Sequence, residues 1–143
     1  MVDRQAVGYR GPEFEFPLEK GKVREMARAM DSRCDEYFGD DPPVPPTFLK
    51  LAQPVWEPDE GSAVGRVGYD PARPPLHAEQ EFVFDGPPPR AGEVLVAQSV
   101  VESIEGKPSR RFGQLDYVTI VTEFRNAEGR IVGRARTTSV AEV

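Results

Sequence analysis

Residues Phe14–Met30 read FEFPLEKGKVREMARAM, and this stretch contains two different periodicities. Phe14, Glu15 and Phe16 alternate apolar and charged, the pattern of a short strand, and Pro17 closes it. From Leu18 to Met30 the apolar residues Val23, Met26, Ala27 and Met30 recur at helical spacing, while Lys22, Arg24, Glu25 and Arg28 fall off that stripe. A strand followed at once by an amphipathic helix is therefore expected. Upstream, residues 1–12 read as a loose N-terminal arm. Downstream, Asp40-Asp41-Pro42-Pro43-Val44-Pro45-Pro46 cannot be regular structure, because each proline lacks a donor and restrains its predecessor. Thr47–Gln53 is short and largely apolar, with Pro46 at a helix-start position, and Pro54 and Pro58 hold it to about two turns. Residues 57–76 are polar and rich in Gly and Pro, and read as a long loop.

The remainder reads as strands. His77–Asp85 alternates weakly and ends at Gly86-Pro87-Pro88-Pro89. Glu93–Ile104 is rich in β-formers and precedes a turn at Gly106 and Pro108. Phe112–Phe124 follows, with Val118, Ile120 and Phe124 on one face and Tyr117, Thr119 and Val121 on the other. Asn126-Ala127-Glu128-Gly129 is a hairpin signal, and Ile131–Val140 closes the set. The sequence thus predicts an α+β chain of two short helices and an antiparallel meander, with residues 1–143 as one domain.

Composition narrows the function. The 143 residues are 38% hydrophobic and 29% charged, as in a globular protein. Net charge is −6, from 18 basic and 24 acidic residues, so a nucleic-acid footprint is not expected. One cysteine, Cys34, and one histidine, His77, leave no disulfide framework and no His/Cys metal site; no metal or other cofactor is expected. No apolar signal core or membrane-length stretch is present, which predicts a cytoplasmic protein without a membrane span.

Three stretches together resemble the N-terminal dehydratase domain of the MaoC-like hydratase/dehydratase family. Phe14–Met30 is similar to the family's strand and KIREFARA-type helix. Val44–Leu49, VPPTFL, is similar to its APPTF entry into the central helix. Leu76–Gly92, LHAEQEFVFDGPPPRAG, is similar to its LHGEQEF strand and following turn. The resemblance spans nearly the whole chain. It implies a single hot-dog fold, in which a curved antiparallel sheet wraps a short central helix, and a trans-2-enoyl or (3R)-hydroxyacyl thioester as ligand.

Catalytic members of that family carry an Asp and a His in a D-x-N-P-x-H loop after the first helix. One group handles water at C3 and the other the proton at C2, within hydrogen-bond reach. Here the loop reads Asp31-Ser32-Arg33-Cys34-Asp35-Glu36-Tyr37, so Ser32 and Tyr37 stand at the dyad positions. Serine is no base, and the tyrosine pKa is about 10. Shifting by one residue offers Asp31 but pairs it with Glu36. The resemblance therefore implies a degenerate, non-catalytic half, of the kind that pairs with a catalytic half in the same or another chain.

Other residues carry two readings each. Asp31 and His77 are candidate acid–base groups, or a loop acid and a structural histidine. Asp31, Asp35, Glu36, Asp40 and Asp41 are an acidic cluster or a solvated loop, and Cys34 has only Arg33 as an activating neighbour. Thr47, Phe48, Leu51 and Trp56 are plain core, or the lining of an acyl channel beside a helix cut short at Pro54, where a helical proline costs about 3 kcal/mol. Arg110, Arg111, Arg125, Arg130, Arg134 and Arg136 face the phosphates of CoA or an acidic carrier protein, or pair on the surface. The expected function is a non-catalytic subunit of a heteromeric (3R)-hydroxyacyl-thioester dehydratase or enoyl-CoA hydratase. The partners would be a catalytic MaoC-like hot-dog chain and an acyl-CoA or acyl-carrier-protein thioester. The alternatives are a homodimeric acyl-thioester binding or regulatory module, and an active homodimeric hydratase with a different acid–base pair.

Overall fold

Strands β1 (Arg10–Pro17), β2 (Leu76–Phe84), β3 (Val94–Ser109), β4 (Gly113–Arg125) and β5 (Ile131–Glu142) form one antiparallel sheet in the order β1-β3-β4-β5-β2. These coordinates are a computed structural model that describes residues 2–142; Met1 and Val143, the two ends of the expected domain, lie outside them. Alternation along the strands gives the sheet an apolar inner face. Phe14 and Phe16 of β1, Leu95, Ala97 and Val101 of β3, and Val118, Ile120 and Phe124 of β4 are all buried there. Phe16 packs with its ring centre 5.8 Å from both Phe48 and Phe124, and each such ring contributes roughly 2–3 kcal/mol by burial.

Because β1 and β2 occupy opposite edges, the chain between them must cross the inner face. It does so through helix α1 (Lys20–Ala29), a 3₁₀ turn over Asp35–Phe38, a helical strap over residues 46–56, and helix α2 (Ala63–Val67). Val23 and Ala27 turn the buried side of α1 toward the core. The expected meander is thus corrected: β3, β4 and β5 do form one, but β2 pairs with β5 at the far edge. Strand periodicity cannot distinguish these pairings, which are decided by where the crossover ends.

Three local expectations also change. The expected loose arm at residues 1–12 holds a 3₁₀ turn over Arg4–Ala6 and the start of β1, and it is anchored. Val2 and Ala6 bury against Val101 and Val118, Gly8 N–H donates to Val101 O at 2.8 Å, and Arg4 ion-pairs with the buried Asp116. The expected turn at Gly106 and Pro108 is strand, since β3 runs to Ser109 and pairs with β4 throughout. A side chain at 106 would meet the flexible ends of Arg4 and Gln114, which would have to shift. The long loop at 57–76 includes α2, capped by Ser62 Oγ, which accepts from Gly65 N–H at 2.9 Å.

The outer face is ionic. Glu13, Arg125, Glu123, Arg134 and Asp85 form a continuous chain of ion pairs at 2.7–3.7 Å, and Arg136 pairs with Glu102 and Glu81. No helix among the described residues is long and apolar enough to cross a membrane.

Candidate functional site

The strap decides which side chains meet in the interior. Pro46–Leu51 winds as a 3₁₀ helix and Ala52–Trp56 as a wider π turn, closed by Glu57 N–H donating to Ala52 O at 3.0 Å. The sequence predicts a helix over Thr47–Gln53 that stops at Pro54; instead the winding changes and the strap continues through Pro54 to Trp56. The wide turn accommodates a residue with no N–H to donate. In a 3₁₀ turn residues three apart share a face, so Phe48 and Leu51 point one way and Lys50 and Gln53 another. The strap therefore divides the interior into two clefts.

The first lies between the strap and α1 and encloses about 520 Å³. Phe48, Leu51, Val55 and Trp56 form one wall, with Met26 and Ala29 of α1 opposite. Three of the four predicted channel residues meet here. Thr47 is exposed at the head of the strap and is not in this lining. Sequence reading missed Met26 as a cleft residue because its helical spacing equally describes core.

The second cleft, about 370 Å³, lies under the other face of the strap, over β4, β5 and β2. Val118 and Ile120 line it with Pro71, Pro74 and Pro75, while Lys50, Tyr69, His77, Thr137 and Ser139 contribute polar groups. A bulge at Ala78 sets His77 opposite Ser139 and directs it to the inner face, although the next regular partner, Glu79, faces outward. Lys50 Nζ donates to Gln53 Oε1 at 2.9 Å and to Thr137 Oγ1 at 3.2 Å. Burial holds the Lys50 ammonium below the ordinary lysine range, against the pull of the Glu57 charge. Burial likewise raises the Glu57 carboxyl, and pushes Tyr69 up to about 12. The one clue in sequence was Lys50 itself, the only charge in Thr47–Gln53.

The loop after α1 has a different character. Asp31 is exposed in the left-handed conformation at φ 51°, and Ser32 N–H donates to Ala27 O at 2.9 Å as α1 ends. Ser32 Oγ accepts from Cys34 N–H at 3.3 Å, and Tyr37 is half-buried against the core. Cys34 is exposed and its thiol is free of any disulfide. Of the nearby acids, Asp40 and Asp41 are met by Lys20 and Arg90, and no trio of His, Cys, Asp or Glu among the described residues could hold a metal ion.

The six arginines do not converge. Arg125, Arg134 and Arg136 belong to the outer-face ion pairs. Arg110 and Arg111 lie at one end of β4 and Arg130 beyond the other, separated by a strand of 13 residues, roughly 40 Å at the usual rise. Their spacing along the chain carries no sign of convergence, and only the strand geometry sets Arg110 and Arg111 at one end of β4 and Arg130 beyond the other.

The profile of the family described as FAS1-like, dehydratase domain region, matches residues 5–135. A UPF0336 protein of Cutibacterium acnes is 29% identical over 120 residues, covering 82% of this chain and 77% of the relative. The crystal structure of the C-terminally truncated HadBC (3R)-hydroxyacyl-ACP dehydratase complex of Mycobacterium tuberculosis superposes with a TM-score of 0.66 at 23% identity, covering 94% of this chain and 98% of that one. The ChsH1–ChsH2 complex of the same organism gives 0.72 at 10% identity, with 92% and 83% coverage. These likenesses place the sheet and strap in the hot-dog fold.

Proposed function

From the premise that this chain belongs to the FAS1-like dehydratase-region family of MaoC-like hot-dog proteins, we propose that it is the non-catalytic subunit of a heteromeric (3R)-hydroxyacyl-thioester dehydratase or enoyl-CoA hydratase. The observation that carries this reading is the loop after α1. Where catalytic relatives have an acid–base pair, Ser32 is engaged with the backbone of its own turn and Tyr37 packs on the core. A partner hot-dog chain supplies the Asp and His. This chain completes the shared sheet, stabilises the partner and shapes the acyl pocket, with Phe48, Leu51 and Trp56 along the hydrocarbon and Thr47 at the head of the strap.

Two further features support a partner. Strand β2 has only β5 beside it, so its other edge is free to pair, and Leu76 on that strand is 74% exposed. The similar HadBC and ChsH1–ChsH2 structures are both named as complexes of two components. The free edge equally accepts a second copy of this chain, which keeps a homodimeric acyl-thioester binding module as the second reading.

Loss of enoyl-thioester absorbance tests the proposal, using crotonyl-CoA and a longer enoyl-CoA. The chain is assayed alone and after co-expression with a dyad-bearing hot-dog chain. Hydration only by the pair is expected. Turnover by the chain alone, abolished by His77→Ala or Asp31→Asn, would overturn it in favour of an active homodimer. Stoichiometric acyl-CoA binding without turnover in either setting would favour the binding module.

A further inference from the structure

The Lys50 cleft has no part in the acyl pocket described above, from which the strap separates it, yet its chemistry is that of a binding site. An ammonium group has three N–H donors, and Lys50 uses two of them on neutral acceptors, Gln53 Oε1 and Thr137 Oγ1. No carboxylate among the described residues lies within ion-pairing distance of it. Thr137 in turn donates to Gln80 Oε1 at 2.8 Å, so its hydroxyl proton is used and its oxygen is committed to Lys50. A half-buried cation whose hydrogen-bond partners are both neutral, beside open space, has a donor left to offer an anion. Ser139 and His77, opposite each other on β5 and β2, place polar groups along the same wall.

We propose that this cleft binds an organic monocarboxylate, an anionic head on an apolar stem, with Lys50 as its counter-charge. The stem has Val118, Ile120 and the prolines at 71, 74 and 75 to lie against. The single negative charge follows from the groups facing Lys50. Glu57 at the end of the strap and Asp70 at the rim already carry acidity there. A phosphate, with its charge of about −1.5 to −2, would meet one lysine and two carboxylates. A carboxylate meets the third Lys50 N–H and adds only one negative charge to those of Glu57 and Asp70, less than a phosphate would. This inference does not depend on the hydratase reading.

The probe is octanoate, with octanol and octyl phosphate as comparators, titrated into the ¹⁵N-labelled full chain. Saturable octanoate shifts at His77, Thr137 and Ser139 are expected, at least tenfold weaker for octanol and for octyl phosphate. Lys50→Met is expected to weaken octanoate at least tenfold and Lys50→Arg only a few-fold, with folding checked by the spectrum of each. Equal binding of octanol, tighter binding of octyl phosphate, or shifts confined to Phe48, Leu51, Val55 and Trp56 would overturn the proposal. The wild-type titration decides it even if Lys50→Met fails to fold.

Discussion

Glu57 shows how a single residue is conditioned by both halves of the molecule. It ends the strap, accepts from Ala63 N–H at the start of α2, and is partly withdrawn from water, which raises its carboxyl above the ordinary glutamate value of 4.5. A carboxyl raised on folding binds its proton more tightly in the native state than in the unfolded chain. Its contribution is therefore complete below the unfolded value and is lost as pH rises through the folded one. Glu57→Gln, which keeps an acceptor for Ala63, should gain on wild type as pH rises from about 4.5 toward neutrality; urea midpoints of both proteins across that range check this. A constant offset between the two would show that burial does not govern this group. Lys50 belongs to the same scale. It stood in plain sight as a charge within an apolar run, but its partner Thr137 is 87 residues away, and no local pattern announces that meeting.

At the scale of elements, the N-terminal arm gives the sharpest difference between pattern and structure. Residues 1–12 have no periodicity to read, yet Arg4 reaches the buried carboxylate of Asp116 on β4. The Asp116 side chain is 1% exposed, Arg4 bonds its Oδ1 and its Oδ2 has no partner, so Arg4 is the one group that compensates this buried carboxylate. Arg4→Ala should destabilise the fold by about 1–3 kcal/mol, the cost of leaving a buried polar group unpaired. Adding Asp116→Asn should recover part of that loss, and denaturant melts of the single and double variants measure both. An unchanged midpoint for Arg4→Ala would mean that the arm is held by Val2, Ala6 and its backbone hydrogen bonds without this pair. The strap shows the same limit in another form. Proline at 54 signals that regular winding cannot continue, but whether the chain stops or widens its turn depends on the sheet beneath it.

For the whole molecule, the free edge of β2 is the feature with the largest consequence. Leu76 and Val83, 74% and 41% exposed, stand on this edge strand, where a neighbouring strand would cover them. The double change Leu76→Lys/Val83→Lys should weaken association with a partner chain or a second copy at least tenfold without lowering the melting temperature of the dilute monomer. Sedimentation at several concentrations, beside thermal melts, separates these effects. Association unchanged by two edge lysines would place the interface elsewhere.

What the sequence determined by itself was local. Alternating apolar residues fixed five strands and the spacing of Val23, Met26 and Ala27 fixed α1, because these periods follow from backbone geometry alone. The resemblance of its three stretches, together with Ser32 and Tyr37 in the loop after α1, pointed to the hot-dog family without its acid–base pair. Tertiary structure decided everything that depends on residues far apart in the chain. It put β2 at the far edge, took three arginines into outer-face ion pairs and left the others at opposite ends of β4, and opened two clefts on either side of one strap. These outcomes arise from packing between distant segments, and periodicity along a chain carries no record of which distant segment will lie opposite.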